Sequence, residues 1–232
     1  MTAKGQLRYQ AALHAVNCVD SGMVIGLGHG STALEAVKLI AGKMKEGSLR
    51  AILCVPASRE VEKTAQALGL PLTSLNCHPA LDVTIDGADE VTPELNLIKG
   101  GGGALLREKI LARASSREII IVDESKLSEV LGTKHPLPVE VISFAWRYQA
   151  AFLARLGAEV KLRCTAKGSP FTTDQGHMIL DCNFGPIADP VRLAGTLNEQ
   201  AGLVEHGLFI GLADDLIIAG EKGIRHLRRK DP

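Results

Sequence analysis

The sequence predicts a doubly wound α/β protein with a mostly parallel central sheet, and three observations carry that prediction. Short apolar runs alternate with stretches of helical spacing along the first half of the chain, the order in which βαβ units are built. Of the 232 residues 46% are apolar but only 3% are Phe, Trp or Tyr, so the core is aliphatic, which suits parallel strands covered by helices. Glycine-rich turns follow the strand-like runs rather than interrupting them.

Taken in order, Leu7 to Val19 has apolar positions at helical spacing and ends at Asp20-Ser21-Gly22, before the short buried run Met23 to Leu27. Ser31 to Lys45 reads as a helix, Arg50 to Val55 as a strand, Arg59 to Leu68 as a helix, and Val83 to Ile85 as a strand that runs into Asp86-Gly87-Ala88-Asp89-Glu90. A helix from about Ala104 to Ala114 leads into Glu118 to Val122, a continuous β-branched run expected at the centre of the sheet.

Past Lys134 the texture changes. HPLPVEVI is extended, Phe144 to Leu156 helical, Val160 to Arg163 and His177 to Cys182 strand-like, Asp189 to Gln200 helical, and an extended return follows. That β-α-β-β-α-β order predicts a smaller α+β, ferredoxin-like domain at 134–204, inserted in a Rossmann-like domain at 1–133 and 205–232. A last strand at Asp215 to Ala219 and a short C-terminal helix complete the prediction, with His226 to Lys230 as a solvated last helical turn.

Lys plus Arg and Asp plus Glu each number 26, so there is no global field to attract a polyanion and nucleic acid is excluded as the expected partner. Five cysteines, odd in number and without a C-x-x-C pair, indicate neither a disulfide framework nor a zinc knuckle. The N-terminus has no apolar signal core, and no run approaches the roughly 18 apolar residues of a membrane span. A cytoplasmic protein without membrane contact is expected.

Three stretches carry chemistry. Gly26-Leu27-Gly28-His29-Gly30-Ser31-Thr32 lies between a strand and a helix, where backbone N–H groups and the helix N-terminus favour an anion such as phosphate. It is neither a Walker loop, since no Lys precedes Ser31, nor a dinucleotide fingerprint, since Val55-Pro56-Ala57 stands where an acid is needed. Asp86 and Asp89 follow a buried strand, where they would bind sugar hydroxyls; a helix N-cap with acids in its first turn, which would account for Asp89 and Glu90, and a divalent-metal site are the other readings of this turn. Lys99 precedes Gly100, Gly101, Gly102 and Gly103, and four glycines that are costly to order imply a backbone in close contact with something. Glu108, about one turn into the next helix, shares a side with Leu105 and Ala112; facing inward it has the raised pKa of a general base, and facing outward it pairs with a neighbouring cation.

Together these stretches resemble ribose-5-phosphate isomerase of type A. The matching segments, in order, are GLGHGST, TIDGADE, LIKGGGGALLREKI, IVDESK, LGTKHPLPVEV, GHMILD and a C-terminal GLF-x₃-AD, so the resemblance spans essentially the whole chain. It implies an aldose–ketose isomerase of the non-oxidative pentose phosphate pathway, interconverting ribose 5-phosphate and ribulose 5-phosphate through an enediolate with no metal or other cofactor. The family's phosphate loop carries over to His29, Gly30, Ser31 and Thr32, its acid turn to Asp86, Gly87, Ala88 and Asp89, its KGGG segment to Lys99, Gly100, Gly101 and Gly102, its proton acceptor to Glu108, and a further substrate lysine to Lys126. The chain departs from the family in having His29 where Thr is usual, and Arg8 where a phosphate-binding Lys is usual; Arg8 keeps the charge and can grip phosphate with two bonds. The resemblance further implies a homodimer or homotetramer with the small domain as interface. A non-enzymatic sugar-phosphate sensor and an isomerase or deaminase acting on a larger sugar phosphate are the competing expectations. The sensor is disfavoured because the acid–base residues are all present and no DNA-binding segment precedes the first helix.

Overall fold

The computed structural model describes residues 2–229, and the chain divides into two compact units. The first comprises Met1–Ala88, Arg107–Lys126 and Gly211–Pro232; the second comprises Asp89–Leu106 and Leu127–Ile210.

In chain order, the first unit opens with α1 (Ala3–Val16), whose N-cap Thr2 accepts the Gly5 N–H, and continues with β1 (Val24–Leu27) and α2 (Ser31–Lys45). Helix α2 buries Ala33, Ala36, Val37, Ile40 and Ala41, the spacing of one helical face. Next come β2 (Leu53–Pro56), α3 (Arg59–Ala67, capped by Ser58) and β3 (Val83–Asp86). The chain then forms the two-residue strands β4 (Glu90–Val91) and β5 (Leu97–Ile98) before α4 (Leu105–Ala114) and β6 (Glu118–Asp123). Beyond a 3₁₀ turn at Glu124–Lys126 lie β7 (Leu137–Val141), α5 (Trp146–Arg155), β8 (Glu159–Leu162), β9 (Met178–Asn183), α6 (Pro190–Asn198), β10 (Leu203–His206) and β11 (Leu208–Phe209). The chain closes with β12 (Asp215–Gly220) and β13 (Gly223–Arg228).

The six-stranded sheet of the first unit runs β13-β12-β6-β3-β1-β2, parallel from β12 to β2. The order reverses at β1, so the carboxyl ends of β1 and β3 flank the switch point of a doubly wound sheet. Ile25, Leu27, Ile85, Ile119, Ile121 and Ile217 pack with Ala11, Ala15 and Ile40 of the helices into one aliphatic core. The second unit holds the four-stranded antiparallel sheet β10-β7-β9-β8 with α5 and α6 as its crossovers, the ferredoxin-like arrangement that the sequence predicts, together with a small sheet β11-β5-β4.

The structure differs from the sequence prediction at three places. The C-terminal segment is a strand, not a helix: β13 turns back on β12 through Glu221-Lys222, with Gly223 at φ +103° closing the turn, and covers what would otherwise be the open edge of β12. His226 is therefore not part of a solvated helical turn but bonds to the buried Asp215, while Lys230 lies outside the described residues. The boundaries at 134 and 204 fall inside the second unit, which also takes in Asp89–Leu106, where β5 pairs with β11 and β4 with β5. Among the described residues no helix is long and apolar enough to cross a membrane.

Candidate active site

In the first unit the phosphate-loop candidate and Asp86 come from the adjacent strand ends β1 and β3. Asp86 is completely buried, and its Oδ1 accepts the N–H groups of His29 (3.0 Å) and Gly87 (2.7 Å). The Gly28 N–H donates to the Ile85 carbonyl at 3.0 Å, which brings the two strand ends so close that a Cβ on Gly28 would sit 2.3 Å from Asp86 Oδ1. Position 28 is thus glycine because Asp86 occupies the space of its side chain.

Gly30, at φ +99° with open space around it, is the N-cap of α2 and leaves that helix without a side-chain cap. The N–H groups of the first turn and the positive end of the helix dipole are therefore available to an anion, beside the exposed Ser31 and the half-buried Thr32. His29 is held from the opposite side: its Nδ1 lies 2.9 Å from Ser58 Oγ, which also accepts the Val61 N–H at 3.1 Å as the cap of α3. Arg8 sits half-buried on α1, with its Nε buried and meeting no acceptor among the described residues. Lys126 is half-buried at the end of the 3₁₀ turn after β6, and that turn is shaped by Asp123, which accepts the Ser125 N–H and hydroxyl. Glu108 is 3% exposed on α4, on the side that also buries Leu105, Leu111 and Ala112, so of its two readings the inward one holds.

In the second unit Asp89 and the glycine run are interlocked. Asp89 Oδ2 accepts the Gly101 N–H at 2.7 Å, and a Cβ on Gly101 would meet the same carboxylate at 2.8 Å. Lys99 is 2% exposed, with its ammonium 5.6 Å from the centre of the Phe209 ring and its N–H on the Gly207 carbonyl. Gly100 carries φ +101° and its carbonyl accepts the Gly103 N–H, so the run is a defined turn.

The third acid of the turn behaves differently. Glu90 begins β4, so no helix follows for it to cap, and its fully buried carboxylate accepts N–H groups from Gly132, Thr133, Lys134 and His135 and the Thr133 hydroxyl. Burial pushes this carboxyl up, but bonds from Ser128, Thr133 and the His135 and Lys134 backbone outweigh it and hold Glu90 below its ordinary range. Glu90 is a folding anchor for the 132–135 loop.

The residue that sequence reasoning missed is Arg163, at the end of β8. Its Nη1 donates to the carbonyls of Gly100 (2.8 Å) and Gly101 (3.1 Å), and Asp181 holds the other side of the guanidinium. No local signal marks it, because the carbonyls it holds lie more than sixty residues away: the separation from Gly100 is 63.

A doubly wound sheet with an uncapped helix N-terminus and a buried carboxylate at its switch point defines an α/β enzyme class that binds phosphate esters. Residues 53–223 match the family described as ribose 5-phosphate isomerase A (phosphoriboisomerase A), and the chain belongs to that family. It is similar to ribose-5-phosphate isomerase A of Chloroflexus aurantiacus, 55% identical over 95% of this chain and 92% of the relative, and to that of Desulfatibacillum aliphaticivorans, 52% identical over 98% and 99%. Two solved structures are also similar. One, a D-ribose-5-phosphate isomerase in complex with phospho-erythronic acid, superposes with a TM-score of 0.96 at 39% identity, covering 98% of this chain and 100% of that one. The Plasmodium falciparum ribose 5-phosphate isomerase gives 0.95 at 38% identity, with the same coverages. This is an isomerase, and its reaction is the interconversion of ribose 5-phosphate and ribulose 5-phosphate.

Proposed function

We propose that the residues singled out above carry this isomerisation as one base with a set of charge stabilisers. The observation that carries the proposal is the burial of Asp86, Lys99 and Glu108, at 0%, 2% and 3% exposure: each of the acid turn, the glycine run and the helix after it contributes a charged group withdrawn from water. The substrate phosphate sits at the N-terminus of α2, with Gly30, Ser31, Thr32 and His29 on the loop and Arg8 as a charged partner. Asp86 assists opening of the sugar ring. Glu108 removes the proton from C2 and returns it at C1. Lys99 stabilises the enediolate oxyanion that forms between these steps, with Asp89, Gly87, Ala88, Gly100, Gly101, Gly102 and Lys126 completing the contacts to the sugar.

The chemistry dictates this division of labour. The C2 proton is weakly acidic, so the barrier lies in making the enediolate, and a base and a cation already withdrawn from water lower it without solvent reorganisation. Binding the remote phosphate orients the two carbons against the base. Glu108→Gln preserves shape and removes only the base; kcat should fall by about 10²–10⁴-fold while competitive inhibition by inorganic phosphate changes little. A coupled assay in which Glu108→Gln retains full turnover would remove Glu108 from the mechanism.

The assembly we propose is a homo-oligomer through the second unit, supported by Phe144, Tyr148 and Val191, which are 93%, 59% and 63% exposed. A cytoplasmic location is supported by five free cysteines.

A further inference from the structure

The Arg163 side chain is 15% exposed, and each of its three guanidinium nitrogens has a partner. Nε and Nη2, one edge of the group, carry the paired bonds to Asp181, Nη1 reaches the Gly100 and Gly101 carbonyls, and the guanidinium carbon lies 5.9 Å from the centre of the Phe171 ring. Phe171 in turn fills the space beside Gly103, where a Cβ would be 2.5 Å from its ring. An arginine fixed on this many sides is a rigid fork with donors at set positions.

What that fork holds is two successive peptide units of the glycine turn. The first joins Gly100 to Gly101. Its carbonyl accepts from Arg163 and its N–H donates to Asp89, so a cation and a carboxylate are linked through one amide. The second joins Gly101 to Gly102. The described chain contains no cis peptide, so with the Gly101 carbonyl turned to Arg163 the Gly102 N–H points the opposite way. That N–H meets no acceptor among the described residues, and Gly102 is exposed.

Glycines at 100 to 103 give this segment more conformational freedom than any other residue type would, and a turn with that freedom does not by itself keep one peptide orientation. We propose that Arg163 is a positioning residue for the isomerisation: it fixes the Gly101–Gly102 peptide so that the Gly102 N–H is held as a donor for the enediolate oxyanion, and through the Gly100–Gly101 amide it sets the orientation of Asp89. This rests on the reading of the Lys99 to Gly102 segment given under Proposed function. Arg163 touches no substrate. It acts because a donor aimed before the reaction needs no reorganisation when charge develops, and the positive guanidinium behind both carbonyls polarises the amides toward donation.

The test uses the full-length enzyme and the variants Arg163→Met and Arg163→Lys. With ribose 5-phosphate, Arg163→Met should lose about 10²-fold in kcat with KM within about threefold, and Arg163→Lys, which offers one point of contact instead of a fork, should fall between. Phospho-erythronic acid, with a planar carboxylate where the oxyanion develops, should weaken as an inhibitor in step with kcat, while inorganic phosphate keeps its inhibition constant. A merely structural arginine predicts the reverse: lowered unfolding temperature, equal loss for both inhibitors, and normal kcat per folded molecule. That pattern overturns the proposal. If Arg163→Met does not fold, Arg163→Lys and Asp181→Asn, which loosens the fork without removing it, carry the same comparison. Hydrogen exchange at Gly101, whose N–H is held by Asp89, must also rise in the variants without substrate, and unchanged exchange there overturns the proposal whatever the activity. An inactive wild-type protein would instead overturn the isomerase reading itself.

Discussion

Gly28→Ala isolates the contact between the two strand ends that build the switch point. An alanine Cβ would lie 2.3 Å from both Cγ and Oδ1 of Asp86 and 2.5 Å from its Cα, so turning the carboxylate aside relieves only part of the overlap. The backbone of β3 must retreat by about 1 Å to reach ordinary contact, against the bond from the Gly28 N–H to the Ile85 carbonyl at 3.0 Å. Overpacking of this kind costs about 1–3 kcal/mol. Displacing Asp86 from the His29 N–H adds about 1.5–3 kcal/mol for a bond to a charged acceptor. The expected loss is about 3–5 kcal/mol, a large fraction of a typical domain's stability. Gly30→Ala is the control, because nothing lies within 4 Å of its added Cβ and only the φ of +99° is unfavourable, at about 1–2 kcal/mol. Urea unfolding followed by circular dichroism measures both, and isomerase assays on the folded fractions show whether Gly28→Ala also loses turnover through Asp86. Equal midpoints for Gly28→Ala and wild type, or a larger loss for Gly30→Ala, would refute the reasoning.

Two further outcomes follow from features away from the active site. Burial pushes the Asp215 carboxyl up, but bonds and charge from Arg117 and His226 outweigh it and hold it below its ordinary range. A depressed folded pKa stabilises above the unfolded value, about 3.9, and is lost as pH falls through the folded one; Asp215→Asn should therefore cost about 2–3 kcal/mol at pH 7, since Arg117 is a third exposed, and the gap to wild type should close in denaturation curves below about pH 4. Phe144→Ser with Tyr148→Ser should shift sedimentation from oligomer to monomer if the second unit carries the interface, and an unchanged sedimentation coefficient would exclude that surface.

The elements with strong periodicity were legible because burial of one face repeats along the chain. Helix α2 occupies the predicted Ser31 to Lys45, and the all-buried β6 lies on the predicted Glu118 to Val122 run. Strands β4, β5 and β11 were not legible, since two residues are too short to show any period and each exists only through its partners. The C-terminal strand failed for a related reason. Its burial alternates only weakly, and what selects a strand is the exposed edge of β12 rather than anything within Gly223–Arg228.

The sequence by itself determined the α/β class, the longer strands and helices, and the chemical character of the three motifs, because all of these follow from residue type and spacing within one or two turns of chain, while it left both the inward and the outward position open to Glu108. Only the tertiary structure decided what each motif residue is bonded to. Gly28 is a glycine because of Asp86, and the His29 N–H reaches that carboxylate across 57 residues. Three neighbouring acids, alike in sequence, were divided among the backbone of the loop between β1 and α2 for Asp86, a glycine turn for Asp89 and the 132–135 loop for Glu90. Arg163 acquired its place behind the glycines across 63 residues. A hydrogen bond depends on distance and direction in space, and for partners so far apart in the chain neither is fixed until the strands between them have paired.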